Sequence, residues 1–224
     1  MAPTGAQVGR RSAAPRGWQF SRPAIVAREV TARLIGPGIS WLMHGPRVVG
    51  AEHLAALDGP SVICPTHASH LDFSCVRLAV GGHHRERLAA AAAADYFRSS
   101  PTRWFLAAWL GAFAFNRVGR GAESIAAAEG LLGAGWHVLL FPEGTRTTTG
   151  EVNPFHPGVG LLARHSRVQV LPIRIVGIRD VLPKGARRPR RGQVEVRIGA
   201  PLRAEPGEGA REFTARLEAV VRAL

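Results

Sequence analysis

The chain has 224 residues, 46% of them hydrophobic, and a formal net charge of +13. This length and apolar content are enough for one well-buried domain and exclude a chain too polar to fold. The charge predicts an anionic partner, which could be a phospholipid surface, a phosphorylated substrate or nucleic acid. Almost all of it is arginine, with Lys184 as the only lysine, so part of it can reflect a compositional bias of the genome.

Cys64 and Cys75 are the only cysteines. Two cysteines are too few for a disulfide framework, and their spacing is not that of metal ligands. We therefore expect two buried structural thiols in a reducing compartment.

The N-terminal part of the chain contains no segment that could span a bilayer. No stretch free of Asp, Glu, Lys and Arg exceeds 13 residues, whereas a membrane-spanning helix needs about 20 apolar residues. Residues 1–22 have the composition of a disordered basic arm. Residues 23–44 read as helical with a break at the Gly-Pro-Gly of residues 36–38. The pattern predicts a helical pair that either lies at a membrane interface or packs on the domain's own core.

From residue 45 onward, short β-like runs alternate with helical ones, and we expect residues 45–224 to form the catalytic domain. Such alternation predicts an α/β fold with a mostly parallel sheet flanked by helices. Strands are predicted at residues 61–64, 136–141, 168–176 and 194–198, and helices at residues 123–132 and at the C terminus. In the C-terminal helix, one face carries Phe213, Leu217, Val220, Val221 and Leu224.

Two further segments are less regular. The alanine run of residues 89–94 favours a helix by propensity, but because of its position between other elements a strand remains the alternative. Residues 179–191 form a basic loop that contains Lys184 and several arginines.

His67 and Asp72 form the first candidate catalytic pair. Their separation places them about 140° apart on a regular helix, so they can meet only if His67 sits at a helix start. Pro65 and Thr66 are consistent with a strand-to-helix turn there. Asp72 would then fix the imidazole tautomer and stabilise its cation, so that His67 can act as a general base. For the pair taken alone, a capping aspartate beside a surface histidine remains the alternative.

Neighbouring residues suggest other chemistry that we set aside. Ser69 invites a nucleophile hypothesis, but the chain has no Gly-x-Ser-x-Gly elbow, so we expect a cap or polar neighbour. His70 could share a helix face with His67, but no third ligand is spaced for a metal, and no metal site is predicted. His83 and His84 are interpreted as a solvated turn.

Two later segments present groups that can bind an anion. Residues 111–117 are an apolar run that ends in Arg117, which can cap a strand at the surface or meet an anionic head group. Residues 141–146 read Phe-Pro-Glu-Gly-Thr-Arg. Proline and glycine there shape a turn after an apolar strand, while Glu143, Thr145 and Arg146 present polar groups.

Taken in this order, the segments resemble the motifs of the glycerolipid acyltransferase family, that of the 1-acylglycerol-3-phosphate O-acyltransferases. The resemblance covers about residues 45–202. Thr66 stands where many members have asparagine, which affects a side-chain contact and not the base. The third motif is matched in full. The four matching segments are residues 66–72, 111–117, 141–146 and 170–173.

The resemblance implies roles for individual residues. His67 would be the general base for the acceptor hydroxyl, oriented by Asp72, and Pro172 would help to shape the acyl site. Backbone amides around Gly144 could stabilise the oxyanion. The donor would be an acyl thioester of coenzyme A or acyl carrier protein, with no metal or other cofactor. The basic loop of residues 179–191 could then meet the phosphates of the coenzyme, the acidic carrier protein or anionic lipid, or could be a solvated surface loop. The phosphate or head group of the acceptor would be held by Arg117, Glu143, Gly144, Thr145 and Arg146.

We therefore expect an acyltransferase of phospholipid biosynthesis that acts peripherally at the cytoplasmic face of a membrane. Its acceptor would be a lysophospholipid, with lysophosphatidic acid, giving phosphatidic acid, as the leading expectation. Another lysolipid, a lyso-ornithine lipid or a glycolipid is the alternative. An alternative of a different class is a catalytically silent basic protein that binds membrane or nucleic acid. An aromatic content of 7% and the lack of a helix-turn-helix or zinc-finger pattern count against nucleic acid.

Overall fold

The computed structural model describes residues 17–93, 100, 102, 105, 108–116 and 121–224. In these residues the seven strands form one sheet, in the order β1-β7-β6-β2-β5-β3-β4. Every neighbouring pair is parallel except β6 with β7. The predicted mostly parallel sheet is confirmed. The strands are β1 Arg47–Val49, β2 Val62–Pro65, β3 Leu88–Ala93, β4 Ala112–Phe115, β5 His137–Leu139, β6 Val170–Val176 and β7 Glu195–Ile198.

Helices cover both faces of the sheet, as expected for parallel strands that are buried on both sides. One core contains Ile63, Cys75 and Val76 on the side of α2, and the other contains Leu132, Leu162 and Phe213 on the side of α4, α5 and α7. The helices are α1 Arg22–Leu42, α2 Asp72–Val80, α3 Gly82–Glu86, α4 Gly121–Gly133, α5 Gly158–Ser166, α6 Ile178–Val181 and α7 Ala210–Ala223.

Several sequence predictions can be compared directly with these elements. The four predicted strands correspond to β2, β5, β6 and β7. The C-terminal helix buries Phe213, Leu217 and Val221, as its apolar face predicted. The alanine run is a strand and not a helix, because β3 is paired on one side with β5 and on the other with β4. Both cysteines are buried and unpaired, and burial raises their pKa values, to about 12 for Cys75.

The predicted N-terminal helical pair is wrong. Helix α1 runs unbroken from Arg22 to Leu42 and contains Pro37. A proline inside a helix removes one backbone hydrogen bond and crowds the preceding turn, but it does not always end the helix. The predicted disordered arm is described only from residue 17, where Trp18–Phe20 forms a 3-10 turn and Arg22 begins α1. That part of the arm is ordered, so the prediction is wrong there.

Helix α1 is attached to the domain through charged side chains. The Glu29 carboxylate accepts from Arg77 at 2.7 Å and from Arg85 at 2.8 Å. Arg28 is 3% exposed, and its Nε donates to the Trp109 carbonyl at 2.7 Å. Burial is the main cause that lowers the Arg28 pKa to about 10. These contacts fix one side of the helix on the domain, since a broken buried ion pair is costly.

The opposite side of α1 is apolar and faces outward. Its larger side chains are each more than half exposed, and they are Val26, Val30, Leu34 and Trp41. The helix therefore combines the two arrangements that the sequence left open, because it packs on the domain and also presents an apolar stripe. Among the described residues, no helix has both the length and the hydropathy required to cross a membrane.

His83 and His84 belong to α3 and not to a solvated turn. The Nδ1 of His84 lies 3.1 Å from the Nε2 of His137 in β5. Burial, followed by the charges of His84 and His83, lowers the pKa of His137 from 6.5 to about 4. The folded protein therefore binds fewer protons at this site than the unfolded chain between these two pH values.

This difference predicts that stability falls as the solution is acidified. Between about pH 7.5 and about pH 5 the unfolded chain becomes protonated at His137, whereas the buried imidazole of the folded protein stays neutral. This difference lowers the free energy of unfolding by about 2 kcal/mol. Urea unfolding of the wild type and of His137→Phe at the two pH values measures this. The variant should lose about 2 kcal/mol less than the wild type. An equal loss in both proteins would show that His137 is not responsible.

Candidate active site

The two catalytic loops lie side by side at the carboxyl ends of parallel strands. β2 pairs with β5 through Ile63 and Leu139. Each strand is followed at once by one of the predicted motifs, residues 66–72 after β2 and residues 141–146 after β5. Ligands of open α/β sheets bind outside the carboxyl ends of the strands, so the topology places both motifs where a site is expected.

His67 and Asp72 are in direct contact. The Nδ1 of His67 lies 2.8 Å from Oδ2 of Asp72, the first residue of α2. The His67 ring also stacks on Phe141, with 3.9 Å between ring centroids. A proton on Nδ1 donates to the carboxylate and leaves the Nε2 lone pair to accept a proton. The predicted strand-to-helix geometry is confirmed.

Asp72 is held rigidly by the loop that it closes. The same Oδ2 accepts the backbone N–H groups of Ala68 and Ser69, both at 2.8 Å, and the residue is fully buried. Its Oδ1 has no hydrogen-bond partner among the described residues. One carboxylate oxygen thus fixes both the loop backbone and the imidazole. The same oxygen therefore makes the backbone contacts expected of a capping aspartate and the imidazole contact expected of a catalytic one.

The Ser69 hydroxyl is used structurally. Its Oγ donates to the Leu182 carbonyl at 2.8 Å and accepts from the Leu71 N–H at 3.1 Å, and the residue is 1% exposed. This confirms the prediction of a polar neighbour. Thr66 also has a defined contact, because its Oγ1 accepts the Ile175 N–H at 2.9 Å and so extends the pairing of β2 with β6.

The Glu143 carboxylate is hydrogen-bonded to the backbone of two segments, although the residue also borders the groove described below. Glu143 is 2% exposed, and its two oxygens accept the backbone N–H of His67 at 2.7 Å and that of Asn153 at 2.9 Å. Burial raises the Glu143 pKa, and the two backbone hydrogen bonds oppose that rise. A carboxylate so occupied has no donor to offer a phosphate. We therefore assign Glu143 a positioning role in place of the predicted phosphate contact.

Replacing Glu143 by glutamine should disturb the catalytic loop. The new amide group would face one of the two backbone N–H groups, leaving a buried donor unpaired at a cost of about 1–3 kcal/mol of unfolding free energy. Misplacement of His67 should lower kcat by about tenfold to a hundredfold. Urea unfolding and steady-state kinetics measure the two effects. Glu151→Gln, which changes an exposed carboxylate nearby, is the matched control and should change neither quantity.

The remaining residues of the third motif form a tight turn. Gly144 has φ +66°, a conformation that favours glycine, and its N–H donates to the Phe141 carbonyl at 3.1 Å. That amide is therefore already used and does not supply the predicted oxyanion contact. Thr145 is exposed at the rim of the site. The Nη1 of Arg146 is buried without a hydrogen-bond partner among the described residues.

The two predicted site residues that remain are Arg117 and Pro172. Arg117 lies outside the described residues. Pro172 is buried within β6, where its carbonyl accepts the Gly199 N–H at 2.9 Å. A Cβ on Gly199 would meet the Pro172 ring at 2.9 Å and Leu224 at 3.2 Å. Pro172 thus packs toward the C-terminal end of the chain and not into the site. Its predicted role in shaping the acyl site is wrong.

A groove of about 1450 Å³ connects these groups. His67, Thr145, Arg146 and Lys184 line its polar part. Other parts of its wall are small or apolar, because β3 contributes alanine side chains. These walls include Ala91, Ala93, Phe115, Ile125 and Leu161. The groove thus brings together the cationic side chains of Arg146 and Lys184, the imidazole of His67 and an apolar surface. Among the described residues, no group of three or more His, Cys, Asp and Glu side chains is placed to hold a metal ion.

Comparison with known proteins agrees with this geometry. A family model described as acyltransferase matches residues 45–176. The human 1-acyl-sn-glycerol-3-phosphate acyltransferase alpha is 32% identical over 178 residues, which cover 73% of this chain and 57% of that protein. The 1-acyl-sn-glycerol-3-phosphate acyltransferase of Chlamydomonas reinhardtii is 29% identical over 165 residues, with coverages of 69% and 46%. This chain thus spans about half the length of these curated relatives.

A solved structure shares the fold. The crystal structure of the 1-acyl-sn-glycerophosphate acyltransferase PlsC from Thermotoga maritima superposes with a TM-score of 0.68 at 24% identity. The superposition covers 92% of this chain and 83% of that one.

Proposed function

Because the chain belongs to the acyltransferase family, we propose that it transfers a fatty acyl group from a thioester to the free hydroxyl of a lysophospholipid. The observation that carries this proposal is the His67 imidazole, which is held by Asp72 at 2.8 Å and lies where the polar and apolar parts of one groove meet. An alcohol attacks a thioester slowly at neutral pH without a base, and this imidazole is placed to supply one.

The transfer is a balanced exchange of one bond for another. The acceptor hydroxyl gives its proton to the Nε2 of His67 as its oxygen bonds to the thioester carbon. The resulting imidazolium is stabilised by the Asp72 carboxylate. Collapse of the tetrahedral intermediate breaks the carbon–sulfur bond, and the proton passes from His67 to the departing sulfur. The products are an ester and a free thiol, and His67 returns to its neutral form.

Lysophosphatidic acid is the acceptor that we propose. Arg146 lines the groove that holds His67, and within the part of the chain that the structure describes its Nη1 has no hydrogen-bond partner. A guanidinium binds phosphate through two parallel hydrogen bonds, so Arg146 can fix a phosphate at the polar end. The names of the human and algal relatives specify a 1-acyl-glycerol-3-phosphate acceptor, which supports the same choice. The product would be phosphatidic acid.

The apolar part of the groove would hold fatty acyl chains. Ala91 and Ala93 leave room that larger side chains would fill, and Phe115, Ile125 and Leu161 provide apolar walls. Burial of hydrocarbon there is favourable by about 0.8 kcal/mol per methylene. The donor would be an acyl thioester of coenzyme A or of acyl carrier protein.

The exposed apolar stripe of α1 supports binding to a membrane surface. Val26, Val30 and Leu34 recur at helical spacing, and Trp41 ends the stripe. A helix that is apolar on its outer side and fixed to a basic domain can lie in the interface of an anionic bilayer. We propose a peripheral position at the cytoplasmic face, where the lysophospholipid would be reached without leaving the membrane.

Product analysis tests the function. Purified protein would receive a labelled acyl-coenzyme A or acyl carrier protein with a panel of lysophospholipids, a lyso-ornithine lipid and a glycolipid in detergent, and products would be read by mass. We expect phosphatidic acid from lysophosphatidic acid. A different acylated product would name another acceptor. If no acceptor is acylated from either donor, the transferase proposal fails and a silent binding protein is favoured.

Arg146→Ala tests how the acceptor is recognised. Loss of charge-assisted hydrogen bonds to phosphate should raise the KM for lysophosphatidic acid about tenfold to a hundredfold. The KM for monoacylglycerol, which has no phosphate, should stay unchanged. Arg164→Ala, which removes an exposed arginine from α5, is the control. Equal changes for the two acceptors would contradict a phosphate contact.

A further inference from the structure

A second cavity lies beside the groove. It encloses about 550 Å³ and is formed by the loop that follows α6. We call it the arginine pocket, and its lining residues are Asp180, Pro183, Ala186, Arg187, Arg188 and Arg190. The lining contains three arginines and one aspartate, so the pocket carries an excess of positive charge. A concave cationic surface of this kind suits a small ligand with several phosphate charges.

The loop is folded back on itself and tied to the catalytic residues. The Arg190 N–H donates to the Val181 carbonyl at 2.8 Å, which brings the end of the pocket next to its beginning. The Leu182 carbonyl accepts the Ser69 hydroxyl at 2.8 Å, and the Nζ of Lys184 donates to the Arg146 carbonyl at 3.3 Å. Leu182 and Arg188 are six residues apart, which limits their separation to about 20 Å. The arginine pocket is therefore within reach of the groove.

We propose that the arginine pocket binds the nucleotide phosphates of an acyl-coenzyme A donor. The proposal rests on the transferase function proposed above and assigns the donor. The pantetheine arm would run from the arginine pocket past Lys184 into the groove, bringing the thioester to His67. Guanidinium groups bind phosphate bidentately and also stack on planar rings, which suits a phosphorylated adenosine. Pro183 and Ala186 provide apolar walls for the same ligand.

Phosphate groups of a bilayer are the other source of the same chemistry. The structure assigns a different arginine to the membrane side, because Arg191 stacks on Trp41 with its Cζ 4.1 Å from the ring centroid. Arg191 Nε also lies 3.4 Å from the Trp41 carbonyl. Trp41 ends the exposed stripe of α1, so Arg191 extends that surface. The three arginines of the pocket are exposed and line one open, concave surface instead, which fits a compact ligand better than a flat membrane surface.

Donors of different length provide the test. The variant R187A/R188A/R190A would be compared with the wild type using acyl-coenzyme A, its 3′-dephospho form and acyl-pantetheine, which has no nucleotide. We expect the KM for acyl-coenzyme A to rise at least about tenfold, with kcat and the KM for acyl-pantetheine unchanged. The 3′-dephospho donor should show an intermediate rise. The matched control R87A/R164A/R211A removes three exposed arginines elsewhere and should alter none of these values.

A binding measurement that needs no turnover separates this proposal from the proposed function. Titration calorimetry of free coenzyme A should show binding to the wild type that is weakened at least about tenfold in the pocket variant. Binding without acyl transfer would sustain the pocket and reject the transferase. Equal affinity in both proteins, or an equal rise in KM for all three donors, would overturn the pocket. Lost sedimentation with phosphatidylglycerol vesicles but unchanged KM values would instead assign the loop to lipid.

Discussion

His67→Ala should lower kcat for acyl transfer by about a thousandfold, because general-base catalysis typically contributes about 10²–10⁴. The variant removes the groove imidazole that is hydrogen-bonded to the buried Asp72 carboxylate. The backbone N–H of residue 67 would still donate to Glu143, so the loop should keep its position. Single-turnover kinetics with lysophosphatidic acid measures the chemical step directly.

A second histidine variant gives the control for this result. His83 is exposed on α3, which precedes β3 and so lies at the amino end of that strand, away from the groove. His83→Ala should keep wild-type kinetics. A His67→Ala enzyme with kcat within a few-fold of the wild type would show that another group takes the proton, and the mechanism would fall.

The Asp72 variants should separate charge from geometry. In Asp72→Asn, the amide oxygen can take the place of Oδ2 and accept the same three donors, His67, Ala68 and Ser69. The negative charge is lost while the loop is kept, so kcat should fall about a hundredfold through weaker stabilisation of the imidazolium. Asp72→Ala removes the acceptor as well and leaves two backbone N–H groups buried without a partner. It should also lose about 2–5 kcal/mol of unfolding free energy.

Kinetics and urea unfolding of the two variants give the comparison. Asp72→Asn should unfold at nearly the wild-type urea concentration, and Asp72→Ala well below it. Equal destabilisation of both would mean that the amide cannot replace the carboxylate as an acceptor. Unchanged kcat in Asp72→Asn would show that the charge of Asp72 does not act on His67.

The fold was largely predictable because its strands are marked by pattern. Residues 61–64 and 136–141 are short apolar runs bounded by turn residues, and both are central strands. The alanine run could not be assigned, because alanine favours helix and only the pairing with β4 and β5 decides otherwise. The break predicted at residues 36–38 was wrong because local propensity for a turn yields to the packing of a long helix.

The site was predictable where a motif encodes a contact between near neighbours. His67 and Asp72 are five residues apart and meet as expected. Glu143 was assigned to phosphate because its motif is polar, whereas its burial depends on residues 67 and 153, which no local pattern reveals. Pro172 was assigned to the acyl site. Side chains alternate along a strand, however, and the position of Pro172 in β6 directs its ring toward Gly199 and the C-terminal Leu224. The basic loop that contains the pocket arginines was predicted to meet coenzyme phosphates, an acidic carrier protein or anionic lipid, or to be solvated, and the sequence did not decide between these.

The alanines of β3 have a consequence for how substrate preference can change over time. This strand is held by backbone pairing to β4 and β5, and its alanines contribute little side-chain volume. Substitutions at Ala91 or Ala93 would therefore reshape the groove without removing the bonds that hold the sheet together. The side-chain atoms of β3 shape the groove, whereas its backbone atoms hold the sheet together, so the two can change independently. If the groove holds acyl chains as proposed, a lineage could adjust this strand by single substitutions while His67 and Asp72, which follow β2, stay unchanged.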